Sequence, residues 1–87
     1  MNSIGLMRNY PNPFSNLTTV SFTMPTSGQA TLVAVNMQGT EIARTDIGYI
    51  GEGTQRASFE LHEHGMYFLR LFVDGRPVGN PIKVVSE

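Results

Sequence analysis

From Thr18 to Val85 the chain repeatedly alternates apolar and polar side chains with a period of two. That spacing places one set of side chains on a single face of a β-strand. In "TTVSFTM", Val20, Phe22 and Met24 alternate with Thr19, Ser21 and Thr23. "TQRASFEL" repeats the pattern, with Ala57, Phe59 and Leu61 on one face. "QATLVAVNM" is apolar on both faces around Leu32–Val35, which suits a central strand. "MYFLRLFV" is the most hydrophobic run: Tyr67, Leu69, Leu71 and Val73 form one face, Met66, Phe68, Arg70 and Phe72 the other. "IARTDIGYI" carries a weaker signal, and in "RPVGNPIKVV" Ile82 and Val84 alternate with Lys83 and Val85. Pro77 and Pro81 lack an N–H, so the first half of that last strand belongs at an edge or in an irregular segment.

Turn signals separate these runs. "PTSG", "QGTE" and "HEHG" break the alternation, Gly48, Gly51 and Gly53 mark a loose loop, and Asp74-Gly75 is a two-residue hairpin signal. No window carries a helical repeat with caps. Short strands with turn signals every ~8–12 residues predict an all-β, immunoglobulin-like antiparallel sandwich of about seven strands. The Cys–Trp–Cys hallmark of true immunoglobulin domains is absent, and there is no internal repeat.

The segment before the first clear strand, "NYPNPF", is of another kind. Pro11 and Pro13 fix their own φ and push Tyr10 and Asn12 towards extended conformations, so a stiff arm is expected that cannot be a central strand. Residues 1–9 are expected to form a linker from a preceding domain, and 10–87 the single domain.

Composition narrows the function more than the fold. At 87 residues the chain fills one domain, with little left over to enclose a deep catalytic pocket. The formal net charge is −1 and the charges are scattered, which leaves no footprint for nucleic acid. The N-terminus lacks the charged and apolar regions of a signal peptide. With no cysteine there is no disulfide, thiol nucleophile or thiolate metal site. His62 and His64 flank Glu63 at a spacing that suits a metal pair on a strand, but Gly65 follows and the segment reads as a solvated turn; no metal or cofactor is assigned. No Ser or Thr stands in a pattern that suggests a positioned base, and the acids fall on different elements, so no enzymatic activity is expected. Tyr10, Phe14, Tyr49, Tyr67, Phe68 and Phe72 are candidates for a carbohydrate platform, set against a plainer role in the core.

Taken in order, "NYPNPFSNLTTVSFTMP", "GQATLVAVNMQGTEI", "HGMYFLRLFVDG" and "PIKVV" resemble the type A C-terminal sorting domain of the type IX secretion system of Bacteroidetes. Tyr10–Phe14 reproduces the opening Y-P-N-P-F, Met37–Glu41 the x-x-G-x-E turn, Gly65–Tyr67 the G-x-Y start of the penultimate strand, and Lys83–Val85 the closing K-V-V. The final Ser86–Glu87 departs from the basic ending of many relatives. The resemblance implies a domain that directs its parent protein through the periplasm and across the outer membrane to the cell surface. Its partners would be translocon and sortase components, with attachment to anionic lipopolysaccharide. Tyr10, Pro11, Asn12, Pro13, Gly39, Gly65, Tyr67, Lys83, Val84 and Val85, all within these motifs, are the recognition residues that the resemblance implies; Arg70, mid-strand on the face opposite Tyr67, is a further candidate, as a surface charge or a recognition contact. The exposed last strand is expected to offer its edge to a partner's sheet, with dimerisation through that edge or by strand exchange set beside a monomer. Two other functions stay open: an uncleaved adaptor of the secretion machinery that binds lipopolysaccharide, and a carbohydrate-binding adhesin module.

Overall fold

In the computed structural model, which describes residues 7–87, seven strands form two antiparallel sheets packed face to face. They are β1 (Met7–Tyr10), β2 (Asn16–Met24), β3 (Gly28–Val35), β4 (Glu41–Ile50), β5 (Gly53–Leu61), β6 (Gly65–Val73) and β7 (Arg76–Ser86). One sheet has the order β1-β2-β5 and the other β4-β3-β6-β7. The immunoglobulin-like sandwich expected from the period-two pattern is the fold observed.

Each alternation turns its apolar set inward. Val20, Phe22 and Met24 of β2, Phe59 and Leu61 of β5, and Tyr67, Leu69, Leu71 and Val73 of β6 are buried between the sheets, together with Leu32, Ala34 and Val84. β3 and β6 are the central strands of the four-stranded sheet, as their two-sided apolarity predicts. Val33 and Arg70 are register partners there. Val33 is only 5% exposed although its neighbours Leu32 and Ala34 point into the core, so the outer face of this sheet is itself partly apolar.

The weak pattern of β4 has a specific cause. Its pairing with β3 slips twice, so that Ile42 and Ile47 have no register partner, and both isoleucines pack against the core. Each extra residue resets the alternation, which destroys a simple period of two. Gly48 therefore lies inside β4, and only Gly51 and Glu52 separate β4 from β5. The loose glycine loop expected there is replaced by a bulged strand and a tight turn.

Strand structure starts earlier than Tyr10. Met7–Asn9, expected in a linker, pair with Phe22–Val20 of β2, and Met7 is buried in the core. A four-residue polar edge strand with one buried methionine shows too little alternation to be recognised in sequence. Residues 1–6 of the expected linker lie outside the described residues.

The Asp74-Gly75 hairpin forms as expected, with both residues at positive φ. Asp74 also ties the hairpin to β3: its Oδ1 accepts from Gln29 N at 3.0 Å, and its N donates to Gln29 O at 2.8 Å. β7 is an edge strand interrupted opposite Arg70, where Gly79, Asn80 and Pro81 bulge out between the pairs Leu69–Ile82 and Leu71–Val78.

Candidate recognition site

The segment that follows β1 meets the end of β7 at one corner of the sandwich. β1 stops at Tyr10, where Pro11 and Pro13 remove two donors, and the peptide bonds preceding both prolines are cis. The segment is bent over Asn-Pro rather than extended as an arm, and side chains fasten it. The carbonyl of Pro11 accepts from Thr18 Oγ1 at 2.9 Å and from Asn9 Nδ2 at 3.3 Å. Thr18 is buried, so its hydroxyl needs such a partner. Tyr10, Pro11, Asn12 and Pro13 are all exposed on the outside of the bend.

The bend delivers Phe14 into the core, where it is 2% exposed, and its backbone onto the free edge of β7. Phe14 N donates to Val85 O at 3.0 Å, and Glu87 N donates to Phe14 O at 2.8 Å. Asn12 completes the row: its Oδ1 accepts from Val85 N at 3.0 Å, standing in for a strand carbonyl. One residue further, Ser86 Oγ donates to Leu61 O at 3.2 Å, which ties β7 to the other sheet. The opening and closing motifs therefore form one clasp.

This clasp changes what β7 can offer a partner. Because Val85 spends its N–H and C=O away from β6, it belongs to a non-hydrogen-bonded rung of that ladder, as does Lys83 two residues earlier. The outward amide of Val85 is thus already paired, and Pro81 has none to give. Among the described residues, Lys83 alone has no partner for either outward main-chain group along residues 81–85. The expected addition of a partner strand along Lys83–Val85 is blocked at Val85 by the chain's own Asn12 and Phe14.

Several other expected recognition residues lie at this end. Val84 is buried and Lys83 exposed, with Val85 half-buried beside the clasp. Tyr67 pairs with Val84 and is buried; its hydroxyl donates to His64 O at 3.1 Å. Gly65 pairs with Ser86 at φ 141°, and a Cβ there would sit 3.4 Å from the Tyr67 hydroxyl. Tyr67 and Val84 thus support this end of the sandwich from within, while Gly65, Tyr10, Pro11, Asn12, Pro13 and Lys83 are exposed at it.

Gly39 and Arg70 are elsewhere. Gly39 sits at φ 84° in the β3–β4 turn, where Asn36 Oδ1 accepts from Gln38 N at 3.0 Å and Thr40 N at 2.9 Å. Arg70 lies mid-strand on the outer face of the four-stranded sheet, in a shallow apolar groove with Val33, Val35, Phe68 and Phe72. Arg44, on the neighbouring edge strand, is committed to Glu41 by two hydrogen bonds of 2.9 Å. That bidentate contact holds the Glu41 carboxyl below the usual carboxylate range and raises the Arg44 guanidinium above its own.

Of the six candidate platform aromatics, Phe14 and Tyr67 are buried, Phe68 and Phe72 half-buried, and Tyr10 and Tyr49 exposed on separate strands. His62 and His64 are both exposed in the β5–β6 turn. Among the described residues no group of three or more His, Cys, Asp or Glu side chains comes together.

The family model for the secretion system C-terminal sorting domain matches residues 8–78. The matched span includes Tyr10–Phe14, Gly39, Gly65–Tyr67 and Arg70 and ends before Lys83–Val85. No curated protein and no solved structure matches the chain.

Proposed function

The chain belongs to the family of secretion system C-terminal sorting domains of the type IX pathway, and from that membership we propose that it directs its parent protein across the outer membrane for attachment to the cell surface. The family consists of sorting signals, not enzymes, so the work of this domain is to be recognised. The observation that carries the reading is the family match over residues 8–78.

The clasped corner is the face offered to the translocon. Tyr10, Pro11, Asn12 and Pro13 are exposed there, yet the Pro11 carbonyl is held by Thr18 and Asn9 and the Asn12 side chain by β7. An exposed surface already locked in one shape loses little conformational entropy on binding.

The test is a secreted fluorescent reporter joined upstream of residues 1–87 in a host that carries the type IX system. Surface fluorescence that requires the domain supports the reading, and fluorescence trapped in the periplasm overturns it. Sequencing the surface-exposed reporter then separates two fates. Loss of the domain marks a cleaved label that has passed to the sortase and the lipopolysaccharide. A retained domain marks an adaptor of the machinery.

A further inference from the structure

The outer face of the three-stranded sheet carries a row of three side chains that the sorting reading does not use. Arg8 is the register partner of Ser21, and Ser21 is the partner of Arg56, so the three stand in one row across β1, β2 and β5. Two inter-strand steps separate the arginine Cα atoms, roughly 10 Å, within the combined reach of their side chains. The adjoining rows are Tyr10–Thr19–Ser58 on one side and Thr23–Thr54 on the other. Arg8 and Arg56 line one shallow groove together with Thr19, Ser21, Thr23 and Thr54, and among the described residues no carboxylate lines it.

The arginines are not there to balance local acid. Among the described residues neither Arg8 nor Arg56 makes an ion pair, in contrast to Arg44 with Glu41. On this face of β5 the acid is Glu60, two same-face steps from Arg56 or roughly 13 Å. Its carboxylate lies 3.8 Å from His62 Nε2 instead. A chain of net charge −1 has here gathered two cations and no anion.

We propose that this groove binds a phosphorylated saccharide, with Arg8 and Arg56 clamping the phosphate from opposite sides. A guanidinium presents a planar fork of donors, and a phosphate has acceptor oxygens enough to satisfy two forks at once. Ser21, between the forks, supplies a further donor to the same anion. The flanking Thr19, Thr23 and Thr54 match the hydroxyls of a sugar ring, each acting as donor or acceptor as needed. Tyr10, 82% exposed at the end of its row, gives the ring an apolar face to lie against. The inference is independent of the sorting reading, since a domain that failed to direct export would still bind.

Amide chemical shifts of the 87-residue chain, followed during titration with glucose 6-phosphate, glucose, inorganic phosphate and phosphoserine, test it. The sugar phosphate is expected to shift amides of the three rows saturably, with inorganic phosphate and phosphoserine severalfold weaker and glucose without effect. Arg8→Ala and Arg56→Ala are each expected to weaken glucose 6-phosphate about tenfold, as loss of a charge-assisted contact implies. Arg44→Ala, on the other sheet, should change nothing. Both groove arginines are exposed, so the fold survives their loss, and an unchanged spectrum of the core amides verifies it. Binding that is unsaturable, insensitive to the arginines, or equally tight for inorganic phosphate or phosphoserine overturns the proposal.

Discussion

Tyr10 and Phe14 bracket the same two prolines, and the fold uses their rings in opposite ways. Phe14 is 2% exposed, and truncating a fully buried phenylalanine leaves a cavity that the surrounding sheets cannot fill. Phe14→Ala is expected to cost about 3–5 kcal/mol in chemical denaturation, whereas Tyr10→Ala should stay within about 0.5 kcal/mol. A comparable cost from Tyr10→Ala would mean that its ring packs on the bend. Gly28 makes a second residue-scale case, because a Cβ there would lie 2.7 Å from Val73 Cγ1 and 2.9 Å from Asp74 Oδ2. Gly28→Ala therefore forces apart the β3–hairpin contact that Asp74 makes with Gln29, at an expected cost of about 1–3 kcal/mol. A melting temperature equal to that of the unchanged chain would show that Asp74 swings aside freely.

Among the elements, the clasp is the feature that decides how β7 behaves. Removing its Asn12 contact need not unfold anything, because Asn12 is exposed and contributes one acceptor. Asn12→Ala is expected to cost about 1 kcal/mol and to expose the Val85 amide to solvent exchange. Asn12→Asp, which keeps the oxygen, should restore most of the protection. Hydrogen exchange at Val85 reads both outcomes, and full protection in the alanine variant would mean that Phe14 alone holds the edge. The strands themselves were largely legible in sequence, because β2, β3, β5 and β6 show on their surface what they bury. β4 was blurred by the extra Ile42 and Ile47, and β1 was missed because four residues with one buried side chain carry almost no period. The clasp was illegible for a different reason. Asn12 and Val85 are 73 positions apart, and no local pattern announces that a side-chain oxygen will replace a strand carbonyl. The motifs singled out Tyr10–Pro13 and Lys83–Val85 without revealing that one group occupies the edge of the other. The row of Arg8, Ser21 and Arg56 was hidden likewise, since each lies on a different strand and only register unites them.

At the scale of the whole molecule, the two sheets depend on their shared end, and this governs how export experiments should be interpreted. A single domain of this size has only about 5–15 kcal/mol of net stability. Deleting residues 84–87 removes buried Val84, the Ser86 link to Leu61, and the edge on which Phe14 is pinned. The buried valine alone is worth about 1.5–3 kcal/mol, and the freed Phe14 backbone adds to the loss. Truncation is therefore expected to abolish export together with cooperative unfolding, and so to report on the fold. Lys83→Glu has neither consequence for the core, because Lys83 is exposed and its main-chain groups already face outward. If the corner is what the translocon recognises, Lys83→Glu combined with Tyr10→Ala should reduce surface display of the reporter severalfold while the denaturation midpoint stays within about 0.5 kcal/mol of the parent. Unchanged display from a variant of unchanged stability would move recognition away from the clasped corner. The outer face of the four-stranded sheet, with Arg70 among Val33, Phe68 and Phe72, would then be the next surface to alter.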